Sequence, residues 1–223
     1  MKETVKLFQH LLYYCEGLAL LAGIIAWKFI TDKKIKAFVL YLLFIIICEQ
    51  TGAHLTRLGL KPGSAMLYNY LAIPVEFLFA FWFLYAQSDG RISMGLYIIF
   101  SALSILVRVI EFTFLKDEKF FFSSLSYIIS SFFLLILLLL FLWEFIKTDK
   151  LIQYQRHFSF WVAIAMLIYY LGSFPLYAFY NYLYDINKSV FYLYWEIQMC
   201  LNMCMYLLFS AGLLWTNLKY KYS

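Results

Sequence analysis

The sequence predicts an all-α fold: a polytopic membrane bundle of seven transmembrane helices, organised as a 3+1+3 parallel internal repeat. Three observations predict it. First, 65% of the 223 residues are hydrophobic and 14% are charged, whereas soluble domains are about 45–50% apolar and about 25% charged. Second, the apolar residues fall in runs of about 18–25 between short polar breaks, the length a helix needs to cross a bilayer. Third, two stretches more than a hundred residues apart end in nearly the same way.

The seven segments follow from the breaks. They cover residues 8–30, 37–56, 64–87, 95–114, 121–146, 158–183 and 190–216. The breaks at Thr31–Lys36, Arg57–Gly63, Ser88–Met94, Leu115–Phe120, Lys147–His157 and Asp185–Ser189 are all short, so successive helices alternate in direction. The mean hydropathy of +0.78 fits this reading. So does the 22% aromatic content, chiefly Phe and Tyr, which suits a lipid-facing surface with interfacial rings. The first apolar stretch is long, lacks a small-residue cleavage site and contains Glu16, so it reads as a membrane helix and not as a cleavable leader.

The repeat is carried by the helix exits. Trp27-Lys-Phe-Ile-Thr-Asp-Lys-Lys-Ile35 ends the first segment and Trp143-Glu-Phe-Ile-Lys-Thr-Asp-Lys-Leu-Ile152 ends the fifth. One inserted residue, Lys147, brings them into register at an offset of 116–117. At an offset of 120, Gly52 meets Gly172 and Glu76 meets Glu196. The chain then divides into a first triplet (8–87), a linker helix (95–114) and a second triplet (121–216) within a single transmembrane domain, 1–223. Parallel repeats of this kind occur among transporters.

Loop charge sets the expected orientation. Lys28, Lys33, Lys34, Lys36, Arg91, Lys147, Lys150, Arg156, Lys219 and Lys221 fall on one side, ten in all. Lys2, Lys6, Arg57, Lys61, Lys116, Lys119 and Lys188 fall on the other, seven in all. The strongly basic first loop and the positive-inside rule favour an outer N-terminus and a cytoplasmic C-terminus in the cell (inner) membrane.

Charges within membrane helices cost about 2.5–3.5 kcal/mol each on insertion scales and usually face protein or water. Six candidates lie away from the helix ends: Glu16, Glu49, Glu76, Arg108, Glu111 and Glu196. With the topology above, all lie between the midplane and the outer surface. Ser101, Ser104, Arg108 and Glu111 follow the 3-4-3 spacing of one helical face, and Asn69 and Glu76 lie two turns apart on one stripe. Ser123, Tyr127, Ser130 and Ser131 add polar groups in the fifth segment, and Tyr177, Tyr180 and Asn181 in the sixth. Kinks are expected at Pro74 and Pro175. The expected ligand-binding set is Asn69, Glu76, Ser104, Arg108, Glu111 and Glu196. The plainer reading of the same residues is an interhelical polar network that orders the bundle, and Glu16 and Glu49 are assigned to it.

Other chemistries fit poorly. A zinc hydrolase of the seven-helix ceramidase or adiponectin-receptor type needs several converging His and acidic ligands. This chain has His10, His54 and His157, the last on the opposite side. A retinal protein needs a lysine within the last helix, and residues 190–216 contain none. Glu49 and His54 do not form the double-glutamate motif of CAAX-type proteases. Cys15, Cys48, Cys200 and Cys204 lie in apolar segments and build no disulfide framework. Met199, Cys200, Met203 and Cys204 have the soft ligands of a Cu(I) site, but they also serve as ordinary packing groups. No metal or cofactor is expected, and no enzyme activity. The net charge of +5 is scattered over helix ends, so no nucleic-acid partner is expected.

The three-one-three layout resembles the SWEET and PQ-loop transporters over the whole chain, as architecture, although no Pro-Gln dipeptide occurs. The stretch Asn69-Tyr-Leu-Ala-Ile-Pro-Val-Glu76-Phe77, with the aromatic run that follows it, resembles a set of uncharacterised small bacterial seven-helix proteins. Those are supposed to act as sensors beside separate signalling proteins. The first resemblance implies small-solute or proton-coupled transport. The second implies a receptor-like protein that senses a small ligand or ion. No loop exceeds about a dozen residues, so a sensor's output is expected to pass through a separate cytoplasmic partner. The lipid bilayer is the one partner that composition alone requires.

Overall fold

Hydrophobic runs of this length can bury their backbone polar groups in lipid only by forming helices, and in the computed structural model every regular element among the described residues is a helix. These are residues 2–88, 90, 92–114, 124–179, 183 and 188–218. Among the described residues, seven helices are long and apolar enough to cross a membrane. They are α1 (Lys2–Ala26), α2 (Lys33–Arg57), α3 (Lys61–Gln87), α4 (Met94–Phe114), α5 (Ser124–Ile146), α6 (Phe158–Ala178) and α7 (Lys188–Leu218). A short 3-10 segment, Asp149–Arg156, joins α5 to α6.

Helix ends differ from hydropathy where capping decides them. Helix α1 stops at Ala26, whose carbonyl accepts from both Phe29 N (2.8 Å) and Ile30 N (3.1 Å). Helix α2 begins at Lys33, earlier than the apolar run, because Asp32 caps it by accepting from Lys34 N at 2.8 Å. Between α2 and α3 the chain turns at Gly59, with φ +78°. Leu60 N bonds Leu55 O at 2.9 Å and Gly59 N bonds Thr56 O at 3.1 Å, the left-handed glycine closure of a helix C-terminus. Pro62 then sits in the first turn of α3, where no backbone donor is required. Helix α6 is helical to Ala178. The expected extension to 183 falls largely outside the described residues, as do Ser123, Tyr180 and Asn181.

The helices pack as a closed ring in the order α1, α2, α3, α5, α6, α7, with α1 and α7 making the most extensive contact. Helix α4 lies outside the ring against α3 and α5. Only 6% of its membrane window is buried, and Ser104 is its one buried residue among those described.

Alternating helix direction gives the bundle two ends. The N-terminal end carries the start of α1 and the Gly59 turn. The other carries the α1–α2 loop and His157. Near the latter the ring is filled with aromatic side chains. The Phe38 ring lies 5.2 Å from Phe83, 5.1 Å from Phe158 and 5.0 Å from Phe209, one ring each from α2, α3, α6 and α7. All four are fully buried. The same end is tied by Lys34 Nζ, which donates to Ala86 O, and by Gln87 Nε2, which donates to Asp32 Oδ2 at 3.2 Å.

Candidate functional site

The middle of the bundle and its N-terminal end are built differently, from polar groups set among aromatics. Helix α3 organises them. Five of its residues, Tyr68–Ala72, form a π-helical turn, and Ile73 N donates to Tyr68 O, five residues back. Continued in that register, residue 74 would donate to Asn69 O. Pro74 has no N–H to give, and Ile73 is already committed to Tyr68. Asn69 O, within this turn, accepts from Arg108 Nη1 of α4 at 2.6 Å. The kink expected at Pro74 is thus a change of helical register just before the proline. Turns of this type are frequent at functional sites.

Arg108 also lines a cavity of about 370 Å³ between α3, α4 and α5. Its walls are Tyr70, Pro74, Phe77, Leu78, Ile105, Val109 and Phe112, with Ser104 and Ser130 as further polar groups. The hydroxyls of Ser101 and Ser104 are buried and have no hydrogen-bond partner among the described residues.

Glu111 does a different job. Its carboxylate accepts from Leu125 N (3.1 Å), from Ser126 N (2.8 Å) and from Ser126 Oγ. These are amides of the first turn of α5, whose positive dipole end favours a carboxylate. Glu111 therefore fastens α4 to the start of α5.

Inside the ring, Tyr170 Oη donates to Glu76 Oε1 at 2.5 Å. Glu76 also lies in the field of Glu49 and Arg108. Gln198 Nε2 of α7 donates to Tyr169 Oη (3.0 Å) and to Tyr177 Oη (2.9 Å). The Tyr177 ring lies 4.1 Å from that of Tyr127. On the other side of the ring, Tyr68 Oη donates to Glu49 Oε2 at 2.8 Å. Gly52 allows this, since a Cβ there would lie 2.6 Å from the Tyr68 ring. Glu16 is 2% exposed, and its Oε2 has no hydrogen-bond partner among the described residues.

Of the six residues expected from sequence, Ser104 and Arg108 line the cavity, and Asn69 meets Arg108 through its carbonyl. Glu76 lies in the tyrosine network and Glu111 at the start of α5. Glu196 is itself half-buried but shares its stripe of α7 with the exposed Leu193 and Cys200, on nearly the opposite side of that helix from Gln198. The residues that sequence reasoning passed over are Gln198, Tyr169 and Tyr170. The signal was a helical stripe: Phe191, Gln198 and Met205 recur every seven residues on the buried face of α7, and Tyr170 and Tyr177 do the same on α6.

The seven spans and this polar interior define the class: a multi-pass helical membrane protein. Compared with protein-family models, curated proteins and solved structures, the chain matches none.

Proposed function

We propose that the protein is a receptor-like membrane sensor. In this reading it recognises a small ligand in the N-terminal half of the bundle and passes its occupancy to a separate cytoplasmic partner. The loop charges favour an outer N-terminal end, which would turn the site toward the exterior.

The observation that carries this reading is the aromatic layer. The polar groups end on Phe38, Phe83, Phe158 and Phe209, which are packed ring to ring and fully buried. A polar interior closed at one end suits recognition better than passage. Helix α3 supplies a route for the signal. One π turn holds both Asn69 O, bonded to the cavity cation, and Tyr68, bonded to Glu49 in the interior. A ligand that competes for Arg108 would change the bonding of the turn and so the position of Tyr68. Such a relay needs a segment with two discrete arrangements, and a π turn that can revert to α register is one.

A second reading is a small-solute or proton-coupled transporter of SWEET-like architecture. The placement of α4 outside a six-helix ring supports this reading, because a linker helix is expected to lie apart from the others. The two are separated by testing each of a set of monocarboxylates, amino acids and sugars twice. One test measures stabilisation of the purified protein against heat, and the other measures accumulation in proteoliposomes with and without a proton gradient. The sensor reading expects a stabilising compound that does not accumulate. Accumulation of that compound, lost in Glu76→Gln, would overturn it.

A further inference from the structure

We propose that the cavity between α3, α4 and α5 binds a long-chain carboxylate, a single-tailed anion taken up sideways from the membrane, with Arg108 holding its head. This names the ligand class for the sensor reading and rests on it.

The polar end of the cavity is built for one acceptor group. A guanidinium carries five N–H donors. Among the described residues Arg108 uses one, for Asn69 O. Its planar fork matches a carboxylate in two parallel hydrogen bonds. One turn away, Ser104 is 5% exposed, lines the same cavity and has a buried hydroxyl without a partner. Buried hydroxyls are normally bonded, so this one is left for an acceptor that arrives with the ligand.

The rest of the cavity is apolar, and its volume of about 370 Å³ lies at the small end of the usual range for ligand pockets, about 300–1,000 Å³. One acyl chain fits that better than a two-tailed lipid. The rim points the same way. Ile105, Val109 and Phe112 are 48%, 52% and 45% exposed on a helix that lies outside the ring, so the opening faces the hydrocarbon phase. A water-soluble solute would have to cross lipid to enter. An amphiphile is already there, its tail driven in by burial of methylenes at about 0.8 kcal/mol each.

The test is equilibrium binding of tritiated palmitate to the protein in phosphatidylcholine nanodiscs, with protein-free discs subtracted. The expected result is saturable binding weakened at least tenfold by Arg108→Gln. Ile105→Trp, which fills the cavity from its exposed rim and leaves every charge in place, is expected to weaken it to the same degree. Hexadecanol, with the same tail and no charge, is expected to compete at least tenfold less well. Added phosphatidylglycerol is expected not to displace palmitate. The proposal is overturned if both variants bind palmitate as the parent does, if hexadecanol competes equally, or if phosphatidylglycerol displaces the ligand, which would assign the site to a lipid headgroup. Because Arg108→Gln also removes the Asn69 bond, Ile105→Trp keeps the test decisive should the former fail to fold. The sensor reading falls on flux of solute or protons and not on palmitate binding, so failure here is distinguishable from failure there.

Discussion

Arg108 donates from α4 to the main-chain oxygen of Asn69 in α3 at 2.6 Å, within the π turn that precedes Pro74. A cation in the membrane thus bonds the backbone of a neighbouring helix. This has a measurable consequence. Arg108→Gln is expected to destabilise the protein by about 1–3 kcal/mol, the loss of a hydrogen bond from a charged donor. Pro74→Ala restores an N–H and permits the α register, in which Ile73 N satisfies Asn69 O. In that background the same substitution should cost about 1 kcal/mol less. Thermal unfolding of the four proteins in one detergent measures the coupling, and strict additivity would contradict the account.

Glu111 was expected from its stripe to be a ligand-binding acid, and its contacts make it the anchor of α5. Glu111→Ala is expected to cost about 1–2 kcal/mol, as for loss of a helix cap. Hydrogen exchange should rise at Leu125 and Ser126. Glu111→Gln keeps an acceptor oxygen and should lose less. Unchanged exchange at those two amides in Glu111→Ala would contradict the assignment.

Gln198 and Glu196 make opposite predictions although two residues apart. Gln198→Leu removes donors to Tyr169 and Tyr177 and should cost about 1–3 kcal/mol, the net worth of two buried hydrogen bonds. Glu196→Gln, at a half-buried position on the same helix, should stay within about 0.5 kcal/mol of the parent. Chemical or thermal denaturation of both variants checks the order, and a reversed order would contradict the placement of these side chains.

Gly52 and Tyr68 are matched in shape. Any side chain at position 52 meets the tyrosine ring. Gly52→Val is therefore expected to displace Tyr68 and break its bond to Glu49, at a cost of about 1–3 kcal/mol for overpacking. Gly52→Val should destabilise Tyr68→Phe by less than it destabilises the parent, because the bond is already absent. Equal cost in both backgrounds would contradict the coupling.

The α7 pair explains what the sequence could and could not disclose. Seven spans were legible because runs of about 20 apolar residues have one stable outcome in lipid. The α4 stripe was legible as well: Ser104 and Arg108 do face one cavity, since 3-4-3 spacing fixes a helical face. Glu196 was chosen for its charge. Two residues rotate a helix by about 200°, and the neighbouring buried stripe selects Gln198 instead. The π turn at Tyr68–Ala72 was not legible, since Pro74 announces a disturbed helix without saying which register resolves it. Helix termini followed caps such as Asp32, which hydropathy does not count.

The aromatic layer bears the most weight. Phe38→Ala is expected to cost about 3–5 kcal/mol as a core truncation, and it opens the closed end of the polar interior. Proton flux into proteoliposomes carrying pyranine, under an imposed pH gradient, tests the closed-end account most directly. The account predicts that vesicles with the parent protein hold the gradient as long as protein-free vesicles do, and that Phe38→Ala vesicles lose it faster. Collapse of the gradient by the parent protein, and its retention by Glu76→Gln, would contradict the account and make the polar interior a conduit.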